Sequence, residues 1–132
     1  MISNAQLTVV LPVVDVTRAA GFYRDQLGLK DLGEDTTGNH VLLTGTGTQI
    51  ALMPAAEGAQ SKHTVLSFEI ENITRHIKDL EGRGVSFLDY DLPELKTTDH
   101  VAVMGVEEAA WFADTEGNIL CLHENSDVSS MR

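Results

Sequence analysis

The feature that most constrains this chain is a pattern that occurs twice. Residues 5–14, AQLTVVLPVV, are rich in Val and Leu and read as a buried strand. Pro12, near its end, has no backbone donor, which suits an edge strand or a bulge. After Asp15, the apolar residues Ala19, Phe22, Tyr23 and Leu27 fall at helical spacing. Asp15 or Thr17 can cap the helix start, and Gly28 can end it in a left-handed conformation. Short strands are then expected at 30–32, 40–44 and 49–53, with breaks at Thr37, Gly38 and Asn39 and again at Thr44 to Gly47. The second break reads as a hairpin turn, and without a basic residue or a following helix it does not make a phosphate loop.

The order then starts again. Residues 63–70 alternate as a strand, and Asn72 can cap a helix running to Glu81 with Ile73, Ile77 and Leu80 on one face. Gly82 and Gly84 close it. A strand at 85–90, a loop at 91–100 and strands at 101–104, 110–113 and 119–123 complete the second set. Matching Asp15 and Val16 to Asn72 and Ile73 puts Thr8 opposite Val65 and Gln6 opposite His63. At the far end of each copy, Ala51 and Leu52 match Cys121 and Leu122. Strand runs without intervening helices indicate antiparallel neighbours and an α+β class. One domain over 1–132 is expected, with module one at about 5–54, a linker at about 55–62, module two at about 63–124, and a frayed polar tail at 125–132.

Charge and composition narrow the function classes. Twenty acidic residues against nine basic ones give a net charge of −11. A nucleic-acid partner is not expected, because phosphate binding needs a basic footprint. An acidic surface serves solubility and also suits a cationic small molecule. No apolar run is long enough to span a bilayer, and the N-terminus lacks a basic region followed by an apolar one, so neither a membrane partner nor a signal peptide is expected. Cys121 is the single cysteine, which excludes an internal disulfide and fits a cytoplasmic setting.

Particular residues in this order resemble a known family. They are Asp15, Phe22-Tyr23 and Leu27-Gly28-Leu29 in the first copy. The second copy adds Arg83-Gly84-Val85 and the run Phe112-Ala113-Asp114-Thr115-Glu116-Gly117-Asn118 before an apolar strand. In that run Asp114 can bond the backbone that follows it, and Gly117 and Asn118 supply left-handed positions. Thr115 stands where the family pattern has Pro. The chain resembles the vicinal-oxygen-chelate superfamily of glyoxalases, bleomycin-resistance proteins and ring-cleaving dioxygenases over about residues 6–124. The resemblance implies two tandem βαβββ modules forming a half-open barrel, the glyoxalase/bleomycin resistance/dihydroxybiphenyl dioxygenase fold, and a homodimer built side by side or by exchange of modules.

The resemblance also implies where a divalent ion would be held: Thr8 and Ala51 in module one, Val65 and Cys121 in module two. Iron, manganese or magnesium needs several imidazole or carboxylate ligands, and these four residues do not supply them. No cofactor and no metal are therefore expected. His63 and His123 lie two residues from Val65 and Cys121, so strand periodicity can bring them to the same face as Cys121. A His-Cys-His zinc site or acid–base work by His63 or His123 is then conceivable, and so is the plainer reading of polar residues at a rim. Cys121 is either a nucleophile beside a histidine or a small buried hydrophobe.

The ligand expected on these grounds is a hydrophobic, aromatic or cationic compound in a cavity between the modules. Its candidate contacts are Thr8, Val10, Ala51, Met53, His63, Val65, Ser67, Tyr90, His100, Trp111, Cys121 and His123. Trp111 either stacks on a flat ligand or packs outward, since strand parity is not fixed by sequence. Tyr90 and His100 bracket the 91–100 loop. The leading expectation is a metal-independent binding protein. The alternative is a lyase, isomerase or dioxygenase with an atypical metal site or metal-free histidine chemistry.

Overall fold

A computed structural model describes residues 1–125, so the tail from 126 onward lies outside the described residues. It divides the chain into two compact units. One comprises 1–62 together with 114–118, and the other 63–113 together with the chain from Ile119.

The first unit has a short 3-10 turn (Ile2–Asn4), β1 (Thr8–Val13), α1 (Val16–Gly21), a π-helical turn (Phe22–Gln26), β2 (Lys30–Glu34), β3 (His40–Leu43) and β4 (Gln49–Pro54). Its sheet runs β1-β4-β3-β2, with β1 parallel to β4 and the other pairs antiparallel. Pro12 thus lies on an edge strand, where its missing donor breaks no central ladder. Asp15 caps α1 by accepting from Arg18 N at 3.0 Å. The helix expected to continue to Leu27 widens instead into the π turn, where Leu27 N reaches Phe22 O. The consecutive rings of Phe22 and Tyr23 are both buried there and meet edge to face at 5.3 Å. Leu11, Val13, Leu42, Ile50 and Leu52 form the buried side of the sheet beneath α1.

The second unit has β5 (Thr64–Glu69), α2 (Ile73–Gly82), β6 (Phe87–Leu88), β7 (Asp91–Leu92), β8 (Leu95–Lys96), β9 (Ala102–Met104), β10 (Glu107–Ala113) and β11 (Ile119–Asn125). Its sheet runs β5-β11-β10-β6, with β9 on β10 beside β6. Strand for strand this is the order of the first unit, and β5 is parallel to β11 as β1 is to β4. The expected antiparallel neighbours and the α+β class are borne out.

The repeat holds at the level of register. Val10 pairs with Ala51, and their counterparts Ser67 and Cys121 pair in the second unit. One residue breaks the symmetry. Thr8 pairs with Gln49, whereas Ile119 pairs with Thr64, leaving Val65 in a bulge before Leu66 meets Leu120.

The loop expected at 91–100 contains the β7–β8 hairpin, in which Asp91 pairs with Lys96. Two-residue strands are too short to show an alternation in the sequence. The strand expected at 85–90 is only Phe87–Leu88, the stretch that pairs with Trp111 and Phe112. No described helix is long and apolar enough to cross a membrane.

Candidate functional site on the open face of the second sheet

Residues facing one another across neighbouring strands project to the same side of a sheet. In the second unit, Phe112, Leu120 and Leu122 form the buried side, and Ile73 and Ile77 of α2 are buried with them. Trp111, Cys121 and Ser67 are register partners across β10, β11 and β5, so they lie on the other side. His123 and Glu69 are the next pair along that face.

This face has an aromatic corner. The Trp111 indole N–H donates to Thr64 Oγ at 3.1 Å. Thr64 is two strands away from Trp111, so the indole lies across β11. Tyr90 meets the Trp111 ring edge to face at 5.4 Å, with planes at 87°. Both rings are half-buried. Each therefore keeps part of an apolar surface open while its orientation is held by a neighbour.

Beside the corner runs a line of polar groups. Ser67 Oγ and His123 Nδ1 are 2.5 Å apart, and His123 Nε2 is 3.8 Å from Glu69 Oε1. Ser67 is exposed, and the His123 side chain keeps 31% of its accessible surface. Cys121 behaves differently. Its thiol is buried, and burial pushes its pKa up against the opposing bonds from Ser67 and the Ala110 backbone. A thiol held protonated is a poor nucleophile and a poor metal ligand.

The structure thus brings Ser67, Trp111, Cys121, His123 and Tyr90 together, with Val65 in the bulge at one end. His63 precedes β5 and is exposed. His100 lies apart from the open face. Its ring stacks on Phe87, its Nδ1 is 2.9 Å from Asp89, and its Nε2 is 3.2 Å from Glu81 at the end of α2. The bond to Asp89 raises its pKa, with burial opposing and Glu81 reinforcing the rise. Thr8, Val10, Ala51 and Met53 belong to the first unit, where their pairing puts all four on one side of the β1–β4 ladder. Val10 and Met53 are exposed there, while Ala51 is buried.

Two members of the site are absent from the sequence candidates. Glu69 lies two residues beyond Ser67, so strand period alone places it on the same face. Thr64 gave no such signal, since its bond to Trp111 depends on the bulge.

The four positions at which the resemblance implies metal ligands hold Thr8, Ala51, Val65 and Cys121. Their side chains do not fit a hard divalent ion, which needs several carboxylate or imidazole ligands: Thr8 offers one neutral hydroxyl, Ala51 and Val65 offer no donor, and Cys121 offers a thiol held protonated. Among the described residues, no group of three or more His, Cys, Asp or Glu side chains is arranged to hold a metal. A depression of about 450 Å³ in the second unit lies elsewhere, between Thr74 of α2 and Thr98, Asp99, Val103 and Glu108, and holds none of the residues of the open face.

The duplicated strand order and paired registers define a family, and the sequence profile of the Glyoxalase/Bleomycin resistance protein/Dioxygenase superfamily matches residues 5–122. The chain belongs to that superfamily. Among solved structures it is similar to a member of the same superfamily from Sphaerobacter thermophilus DSM 20745. The TM-score is 0.73 at 22% identity, covering 94% of this chain and 99% of that one. It is also similar to TnmS3, an antibiotic binding protein from Streptomyces sp. CB03234, with a TM-score of 0.67 at 19% identity over 96% and 99% of the two chains. A third is the fosfomycin resistance protein FosX from Listeria monocytogenes, solved with manganese(II), with a TM-score of 0.66 at 17% identity over 93% and 90%. At these identities the likeness concerns the fold. No curated protein sequence matches the chain.

Proposed function

We propose that this is a metal-independent small-molecule-binding protein that sequesters or carries a hydrophobic, aromatic or cationic compound on the open face of its second sheet. One observation carries the reading. At the implied metal position stands the buried thiol of Cys121, and across the same face lie the oriented rings of Trp111 and Tyr90 and the accessible Ser67–His123 pair. Aromatic and apolar surface with a few fixed polar groups is the lining that sites for drug-sized ligands share. The antibiotic-binding description of TnmS3 supports sequestration as the role, and the net charge of −11 favours a cation among aromatic ligands. A homodimer in the cytoplasm completes the reading, and light scattering of the purified protein checks the assembly.

The test uses the only tryptophan as its reporter. The protein is titrated with 1-naphthol, 4-nitrophenol and the planar cation proflavine while Trp111 fluorescence and melting temperature are followed. Saturable quenching with a matching rise in melting temperature is the expected result. No quenching and no stabilisation by any of the three contradicts the proposal.

A further inference from the structure

We propose that Ser67 and His123 form a metal-free nucleophile and base, with Glu69 positioning the histidine, that cleaves small esters of aromatic alcohols held against Trp111. The inference rests on the preceding reading that this face binds aromatic compounds, and adds a reaction to it.

The geometry has three parts. A nucleophilic hydroxyl needs a base within hydrogen-bond reach, and Ser67 Oγ is 2.5 Å from His123 Nδ1. The base needs a group that sets its tautomer. Glu69 is the register partner of His123 and lies 3.8 Å from Nε2, on the side opposite Ser67. A proton on Nε2 is favoured there by the carboxylate charge, which leaves the Nδ1 lone pair to accept from Ser67. The distance exceeds a hydrogen bond, so Glu69 acts by its charge. The third part is access. Ser67 is exposed beside the aromatic corner, so an acyl carbon can reach Oγ while an aryl leaving group rests on the indole.

The step balances without a metal or a second reactant besides water. Ser67 Oγ forms a bond to the acyl carbon as its proton passes to His123 Nδ1. The tetrahedral intermediate collapses, the bond from acyl carbon to aryl oxygen breaks, and the leaving aryl oxide takes the proton from Nδ1. Water then attacks the acyl-serine, its proton passes to Nδ1 and from there to the departing Ser67 Oγ, and the carboxylic acid is released. Cys121 is not the nucleophile, because burial holds its thiol protonated. His63 is not the base, because it lies outside β5 and precedes the strand that carries Ser67.

The experiment treats the protein with 4-nitrophenyl acetate after exhaustive dialysis against a chelator. Nitrophenolate release and the site of acetylation, by peptide mass spectrometry, are measured together. The expected result is an acetyl group on Ser67 and a rate that falls about a hundredfold in Ser67→Ala and in His123→Gln. Glu69→Gln should lower kcat severalfold and leave KM unchanged, because the histidine keeps its place while losing the charge that sets its tautomer; a purely structural role would move KM as well. Ser67 is exposed, so its alanine variant keeps the wild-type fold, checked by circular dichroism. Acetylation only at other residues, or a Ser67→Ala variant as fast as the wild type, overturns the inference. Quenching of Trp111 by 4-nitrophenol separates the two claims. Quenching retained without acetyl-Ser67 leaves the binding function standing and refutes the reaction, and no quenching refutes both.

Discussion

Replacing Glu116 by Gln removes one charge from the most heavily bonded side chain of the first unit. Its carboxylate accepts from Val14 N at 3.0 Å, Asp15 N at 2.8 Å, Arg18 Nε at 2.8 Å and Nη2 at 3.1 Å, and Thr115 Oγ at 2.7 Å. The side chain is fully buried, whereas that of Arg18 is 53% exposed. Burial works to raise the pKa of Glu116, but Arg18, the Asp15 amide and Thr115 together hold it down at about 2. Against an ordinary glutamate value of about 4.3, that depression corresponds to about 3 kcal/mol, and the solvent-screened Arg18 reduces a realistic figure to about 2 kcal/mol. Glutamine offers one acceptor oxygen and turns a donor toward groups that themselves donate, so a loss of this size is expected. For a chain of this length it amounts to a fall in melting temperature of about 6–10 °C. The sign with pH follows from the depressed folded value. The stabilisation is complete above the unfolded pKa and disappears as pH falls through about 2. Thermal melts by circular dichroism, compared between wild type and Glu116→Gln from neutral to acid, should show a gap that closes as the pH drops below about 4. A variant that melts with the wild type at neutral pH, or a gap that does not change with pH, would refute the reasoning.

Other perturbations probe other parts of the fold. Asn72 caps α2 through its side chain while its own backbone sits in the left-handed region at φ 58°, so Asn72→Ala loses both cap and conformational tolerance and should cost about 1–2 kcal/mol in urea unfolding. Asn72→Gly should cost only a few tenths. Tyr23→Phe removes the hydroxyl that donates to buried Asp114 at 2.7 Å and should destabilise by about 1–3 kcal/mol in the same assay. His100, its pKa raised chiefly by the bond to Asp89, contributes stability that is present below the ordinary histidine value of about 6.5 and is lost as pH rises through its folded value. The unfolding free energies of wild type and His100→Gln should therefore differ in mildly acid solution and converge in alkali.

Much of the architecture could be read from short-range pattern. The caps at Asp15 and Asn72 announce themselves because the chemistry of a helix start is local. The duplication was legible down to register, since matching Asp15 with Asn72 and Ala51 with Cys121 already pairs Val10–Ala51 with Ser67–Cys121. What stayed hidden depends on distant or single-residue events. Val65 looks like any alternating strand residue, yet a one-residue bulge separates the pairings on either side of it. The importance of Glu116 comes from partners such as Val14 and Arg18, which are far from it in sequence. The turn at 114–118 could be read as a turn, because Asp114 bonds the amides of Glu116 and Asn118. That it is built into the first unit, with Asn118 Nδ2 donating to Pro12 O, could not. Of the open face, strand period brought Cys121 and His123 together; it grouped His63 with them, but β5 begins only at Thr64, so His63 precedes the strand. The parity of Trp111 required the ladder itself.

The central claim is that the open face of the second sheet binds an aromatic molecule with no metal ion. Trp111 fluorescence titrated with proflavine, in protein dialysed against a chelator and again in protein resupplied with manganese, tests it directly. The account predicts the same saturable quenching in both, and its loss in Trp111-bearing protein whose Tyr90 and His123 are replaced by Ala. Quenching that appears only after manganese is restored, with one ion bound per site, would contradict it.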